Sequence, residues 1–360
     1  MRKKFMYSRR ILSVLVVLSF ISQALVVVDT DSYSSVVVED SSILEELYGE
    51  NGARSRTVEN ATLLKDIVSG DVGSNPQQLF AHTDGNLYFS AGGKCWSSDG
   101  TEEGTVSFSD GHCTYFGSLG DTLFFATDSE DYGWELHSYD GSSEPVIVKD
   151  IWDEENGLGD PMDGIDPNNI NTPQLWPISV NDEFLLFTAR NESSNNELWR
   201  TDGTEDGTYM VKDINTNEDS YPSHFFPLDE DRVLFRAQPN GGNNRQLWIT
   251  DGTEVGTYRV KDINPGDDAL IDWFTKHNDQ VYFMAKTGDY SDSPRELWTT
   301  DGTQAGTYAI TNPADFHLLS PAVPLGDILI FEGHSVEYGE ELYKYNPATN
   351  ETSLVVDMEP

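Results

Sequence analysis

The sequence predicts an all-β fold, a β-propeller of six four-stranded blades, with seven blades as the alternative. Three observations carry that prediction. A short apolar run ending in Phe recurs as LYF at Phe89, LFF at Phe125, LLF at Phe187, VLF at Phe235, VYF at Phe283 and LIF at Phe331, at intervals of 36, 62, 48, 48 and 48 residues. A second motif follows each run, clearest as Glu197-Leu-Trp-Arg-Thr-Asp-Gly-Thr204 leading into Val211-Lys-Asp-Ile214. Between the apolar runs lie Gly, Asp and Asn, and the 360 residues include 30 Gly and 16 Pro. Short strands punctuated in this way indicate β structure, and a period of roughly 40–50 residues with four strands per unit indicates propeller blades.

Taken in chain order, residues 1–28 come first. Met1 to Arg10 is basic and Ile11 to Val28 is almost wholly apolar, the pattern of an export signal. Ser22 and Ala24 suit cleavage after Ala24; an uncleaved anchor is the rival, because the run nears the length a spanning helix needs. Ser8-Arg9-Arg10 resembles a twin-arginine signal, although the strong hydrophobicity favours the general secretory route. Residues 29–59 are acidic and Ser-rich and read as a flexible linker, with one short helical candidate at Ser41 to Tyr48. Asn60, Asn191 and Asn350 are glycosylation sequons, which suit an exported chain.

Residues 60–360 form one domain of six repeats of about 48 residues, by the periodicity above. Leu63-Leu-Lys-Asp-Ile67 matches the last strand of a unit yet precedes the first one, so it predicts an extra N-terminal strand that latches the ring. In the fourth unit the strands are expected near His224–Leu228, Arg232–Ala237, Gln246–Thr250 and Thr257–Ile263. A single blade cannot hide both faces, so blades stack. Trp96, Trp199, Trp248 and Trp298 supply large apolar area for those contacts, about 2–3 kcal/mol each. Asp99, Asp202, Asp251 and Asp301 are expected to be turn residues, with Gly tolerating positive φ beside them. The interval of 62 carries an insertion, Trp152 to Asn171.

The motif ELW-x-x-DGT, with E-x-GT and a V-K-D-I strand, resembles the ELWxxDGT repeat family of exported bacterial and archaeal proteins. The match is strong at Glu197–Ile214, Gln246–Ile263 and Glu296–Ile310, good at Lys94–Thr105, and weak at Glu135–Ile151 and Glu341–Met358, where Asn346-Pro347 replaces Asp-Gly. The resemblance implies a repeat β-fold, propeller-like, on secreted or surface proteins. It implies no catalytic residues.

The chemistry on offer is sparse. Cys95 and Cys113, the only two cysteines, form an even pair that suggests a disulfide in an exported protein, worth ~3 kcal/mol by the chain-entropy model. The insertion places Asp160, Asp163 and Asp166 with Asp153, Glu154 and Glu155 in a Gly- and Pro-rich loop. Such a loop suits Ca²⁺, although no EF-hand spacing is present and a solvated acidic loop is the competing reading. No other cofactor is indicated. The seven histidines show no metal-ligand spacing, and neither a nucleophile elbow nor a phosphate-binding loop occurs. The Asp-box of sialidase propellers is not matched, because Trp199 precedes Asp202.

Charge sets the partner classes. With 62 acidic and 22 basic residues the formal net charge is −40. That excludes nucleic acid as a partner and disfavours anionic lipid, leaving the N-terminal segment as the only route to a membrane. The expectation is an exported, non-catalytic propeller, secreted or at the cell surface, that binds a glycan, peptide or protein. The alternatives are an extracellular polysaccharide hydrolase or lyase with carboxylates from separate blades, and a self-associating surface structural protein.

Overall fold

A computed structural model of the chain describes residues 63–357, apart from 70–72, 130–131, 152–176, 192–193, 240, 243, 289–293, 313 and 315. These residues belong to one compact unit, Leu63–Pro360. The signal or anchor, the linker and the acidic insertion lie outside the described residues.

Among the described residues, twenty-five strands build six antiparallel sheets in chain order. The first blade holds β1 (Gln77–Ala81), β2 (Leu87–Ala91), β3 (Lys94–Ser98) and β4 (Val106–Ser109). The second holds β5 (Cys113–Leu119), β6 (Thr122–Ser129), β7 (Gly133–Tyr139) and β8 (Val146–Lys149). The third holds β9 (Ile178–Val180), β10 (Phe184–Asn191), β11 (Ser194–Thr201) and β12 (Tyr209–Lys212). The fourth holds β13 (Ser223–Pro227), β14 (Val233–Ala237), β15 (Gln246–Thr250) and β16 (Tyr258–Lys261). The fifth holds β17 (Asp272–His277), β18 (Gln280–Lys286), β19 (Arg295–Thr300) and β20 (Tyr308–Ala309). In the sixth, β21 (Phe316–Leu318) and β22 (Val323–Leu325) both pair with β23 (Ile328–Ser335), so its first strand is split; β24 (Gly339–Asn346) and β25 (Glu351–Val356) complete it. Six sheets of this kind, strung in sequence, make the β-propeller.

Strand register joins the two repeats seen in the sequence. The Phe of each second strand stands opposite the motif aromatic of the third: Phe89 against Trp96, Phe187 against Trp199, Phe235 against Trp248, Phe283 against Trp298 and Phe331 against Tyr343. In the second blade Phe125 faces His137. Adjacent motif residues then serve opposite faces, as the period of two requires. Trp199 packs with Phe124, Leu136 and Val148 of the preceding blade, whereas Leu198 packs with Phe235 and Trp248 of the following one. Five such clusters join the six blades in succession.

The first strands adjoin one another, β1 with β5, β5 with β9 and β9 with β13, so they surround the axis. Several start with a bulge: Gln78, Tyr115, His224 and Trp273 hold φ between 56 and 60°, a region costly for residues with a Cβ. Fourth strands are shorter than the sequence suggests. In the fourth blade β16 stops at Lys261, because the Ile263 amide turns away to donate to Gln246.

Lysines tie three of the fourth strands, β8, β12 and β16, to the next blade. Lys149 Nζ donates to the carbonyls of Glu205 and Thr208 at 3.3 and 2.8 Å, and Lys212 Nζ to those of Glu254 and Thr257 at 3.2 and 2.9 Å. Lys261 Nζ reaches Thr307 O at 2.6 Å. Lys65 makes the same contact with the first blade, to Glu102 O and Thr105 O at 3.1 and 2.6 Å. Leu63–Ser69 therefore makes the side-chain contact of a fourth strand without forming a ladder of its own.

Candidate functional site

The recurrent Asp carboxylates are occupied by their own turns. Asp202 Oδ1 accepts from the Thr204 amide and hydroxyl at 2.9 and 2.6 Å, and the Thr204 hydroxyl accepts from the Gly207 amide at 3.0 Å. Asp99, Asp251 and Asp301 repeat this. Bonds from these Thr hydroxyls hold the Asp99, Asp202 and Asp301 carboxyls below the usual carboxylate range. Asp140 does the same in the degenerate second blade, held down to about 2 by the amides of Ser143 and Ser142. Asn346 accepts from the Ala348 amide in the sixth. Two further roles were not visible in the motif alone. The second Gly lies against the Asp: a Cβ on Gly207 would sit 2.0 Å from Asp202 Oδ1. The second Thr seals the turn, with the Thr208 hydroxyl donating to Thr204 O and meeting the Thr201 hydroxyl at 2.7 Å. A groove of about 440 Å³ at this end, between the second and third blades, is lined by Tyr139, Asp140, Glu144, Phe124 and Asp202. Its Asp140 and Asp202 are already committed to turns.

The motif Glu is a buried cap. Glu197 accepts from the Ile214 and Asn215 amides at 2.7 and 3.3 Å and from the Ser220 hydroxyl at 2.7 Å. Burial pushes its pKa up to about 7 against those bonds. Gln246 caps the equivalent Ile263 and Asn264 amides with Oε1, and its Nε2 donates to the carbonyls of Asn264 and Asp267. Glu296 accepts from the Thr287 hydroxyl and from Trp298 Nε1, and burial raises its pKa. These acids are enclosed and engaged, which suits structure rather than chemistry on a ligand.

At the opposite end, where first and third strands begin and second strands finish, the blades present different chemistry. Arg236, near the end of β14, donates through Nε to Ser223 Oγ at 3.1 Å and through Nη1 to Ile271 O at 3.2 Å. Arg245, just before β15, bonds Asp268 Oδ2 at 3.3 Å and lies 5.6 Å from the Tyr221 ring centroid. His224 sits 3.8 Å from Asp272 Oδ1. Arg295 stands 5.6 Å from the Trp273 ring centroid and acts on Asp272 and, in the sixth blade, on His317. Arg190 and Arg245 both act on Tyr221. Burial, then Arg236 and Arg245, push His224 down to about 2, so it is neutral. Burial, with Arg245 beside it, lowers Arg236 to about 10, and it stays a cation at neutral pH. Burial raises the Asp272 carboxyl. The bulges at His224 and Trp273 place both residues in this network, as bulges do where a side chain is re-aimed.

None of these network residues stood out in the sequence, because they occupy positions the repeat leaves variable and meet only across blades. The signal was there in outline: four of the seven arginines between residues 63 and 357 fall at this end of the repeat.

Cys95 and Cys113 are both buried, on adjoining blades, and are thiols in this structure. Cys95 Sγ donates to Gly111 O at 3.2 Å and Cys113 Sγ to Phe89 O at 3.8 Å. Burial, with the Cys95 thiol bonded to it, pushes the Cys113 thiol well up. The disulfide is a proposal that this contact makes testable. Asp160, Asp163 and Asp166 lie outside the described residues. Among the described residues no group of three or more His, Cys, Asp or Glu could hold a metal.

No protein-family model matches the chain, and no curated protein does. The likeness to ELWxxDGT proteins thus rests on the motif copies. Among solved structures the chain is similar to puromycin hydrolase, at 11% identity and TM-score 0.40 over 80% of this chain and 46% of that one. It is similar to oligopeptidase B from Leishmania major at 12% and 0.45, over 81% and 42%. It is also similar to the putative TolB from Agrobacterium tumefaciens at 12% and 0.36, over 65% and 79%. The chain spans less than half the length of the first two. Likenesses this distant carry nothing about activity. The chain's own sheets define its class, a β-propeller with a charged network at the inner edge of one end.

Proposed function

We propose that the chain is an exported, non-catalytic β-propeller that binds an extracellular glycan, peptide or protein at the cell surface. One observation carries this reading. The turn end of the blades consumes its polar groups internally, while the inner edge of the other end gathers partly exposed Arg, Asp, Tyr and Trp from consecutive blades. Convergent polar groups beside aromatic rings are what small-molecule and glycan sites are made of. The basic, apolar N-terminus and the net charge of −40 support export and solubility outside the cell.

A thermal-shift series with chelator, Ca²⁺, and a panel of neutral and acidic polysaccharides tests the proposal. A ligand at a hundred times its dissociation constant stabilises by ~2.7 kcal/mol, and the shift is expected to vanish when Arg245 is replaced. If glycans and extracellular protein fractions alike left every transition unmoved, binding at this site would be excluded. The rival hydrolase or lyase draws on the raised, partly exposed Asp272 carboxyl. Shortening of a bound glycan on incubation, abolished by Asp272→Asn, would replace the binding reading with that one.

A further inference from the structure

We infer that the arginine network at the starts of the fourth and fifth blades receives the carboxylate or sulfate group of an acidic saccharide. This inference rests on the binding function proposed above and names its ligand class. Its first support is that the blade fold does not need these arginines. The position of Arg236, directly after the strand-two Phe, is Ser90, Ala126, Thr188, Met284 or Glu332 in the other blades. The position of Arg245 and Arg295, three residues before the motif aromatic, is Gly93, Trp134, Asn196 or Glu340 elsewhere. All six sheets form with the same strand order regardless. Placing cations half-buried in a row costs solvation that surface positions would spare, and here like charges are also adjacent, Arg236 beside Arg245.

The second support is unmet hydrogen-bonding capacity. His224 is 6% exposed and its Nδ1 has no partner; Arg245 Nε is likewise buried and without one. Arg245 spends its fork on a single bond to Asp268 Oδ2. Planar guanidinium forks match the paired oxygens of a carboxylate or sulfate. Tyr221 and Trp273 stand next to Arg245 and Arg295, and an aromatic body beside a charge-reading fork suits a sugar ring bearing an acid better than an extended peptide. The chain's net charge opposes an anionic ligand at long range, but that repulsion is screened beyond about 8 Å at physiological ionic strength, whereas a partly buried contact is screened far less.

The test is titration calorimetry of the purified chain with oligogalacturonate, a sulfated galactan oligosaccharide, a neutral glucan oligosaccharide and oligoglutamate, in roughly 0.02 and 0.15 M salt. The expected result is binding of an acidic saccharide that is retained or tightened at the higher salt. It should weaken at least tenfold in Arg245→Gln and in Arg295→Gln, both partly exposed, and be unchanged in Arg259→Gln, which pairs with Asp262 at the other end. The two acidic arms tell carboxylate from sulfate. Binding of the neutral glucan alone would overturn the anion site while sparing the glycan-binding function. Equal binding of oligoglutamate would make the ligand a protein carboxylate. Acidic binding untouched by both arginine variants would place it elsewhere. Silence in every arm would remove this inference together with the glycan reading beneath it.

Discussion

Two neighbouring repeats solve one capping problem with different side chains, and the comparison fixes what Glu197 does. Where Glu197 caps, Ser220 lends a hydroxyl; where Gln246 caps, the equivalent residue is Ala269 and the amide nitrogen finds two carbonyls. The carboxyl needs the extra donor because burial disfavours its charge. Its folded pKa, about 7, lies above the ordinary 4.5. A raised carboxyl pKa means the folded state holds its proton more tightly, so its stabilising contribution is complete below about pH 4.5 and is lost as pH rises through about 7. Glu197→Gln with Ser220→Ala is expected to remove that loss, stabilising the chain by ~3 kcal/mol at pH 8 and by little at pH 4.5, since each pKa unit is worth ~1.4 kcal/mol. Urea unfolding at the two pH values measures it, and a pH-independent difference would refute the assignment. A second prediction at this scale concerns the closing Gly of each turn. A Cβ on Gly256 would lie 2.0 Å from Asp251 Oδ1, so Gly256→Ala should cost ~2–3 kcal/mol, whereas Ala at Gly73, which meets nothing within 4 Å, should cost less than 1 kcal/mol.

Blades are joined by apolar clusters and by lysine clamps, and the clamps explain why Val-Lys-Asp-Ile follows the motif. In β12 Val211 and the nearby Ile214 bury beneath the fourth blade, and Lys212 between them reaches over to its turn. Replacing Lys212 with Met keeps the stem and removes two charged bonds, for an expected loss of ~1–2 kcal/mol. Lys344 lies in the third strand of the last blade and makes no such contact among the described residues, so Lys344→Met should change the melting temperature much less; equal losses would show that the clamp contributes nothing. The element scale was also the most legible in the sequence. Strand β15 is where the sequence places it, and the Phe and Trp repeats foretell a register in which they pair. Fourth strands proved shorter because Thr208 and Thr257 belong to turns. Asn346 fills the Asp role in the weakest copy because a side-chain amide oxygen accepts as a carboxylate does. The charged network was illegible, because no linear spacing relates Arg236 to Asp272 or Arg295; the blades bring them together.

Across the molecule the five apolar clusters each need a blade on both sides, and the first blade poses the remaining problem. Trp96 occupies the place of Trp199, Trp248 and Trp298, which face a preceding blade. On that side stands Leu63–Ser69: Lys65 clamps the turn of the first blade, and Val68 lies 3.0 Å from where a Cβ on Gly92 would be. Gly92 has φ of 57°, so backbone and space both call for glycine. The segment therefore substitutes for the last strand of a preceding blade. Its loss should loosen the first blade before the others, since stability in stacked repeats is set by nearest-neighbour interfaces. Lys65→Met should raise amide exchange in β1 to β3 at least tenfold while β14 and β15 stay protected, and Gly92→Val should do the same by displacing Val68. The thiols give an independent gauge of that loosening. Cys95 and Cys113 are buried between the first two blades, so they should react with a thiol reagent slowly in the parent chain and faster in both variants. If the wild-type chain instead releases thiols only after reduction, the disulfide is present, and reduction alone should lower the midpoint by an amount equivalent to ~2–3 kcal/mol. Exchange that rose equally in all blades would show one cooperative unit and would refute a local role for the segment.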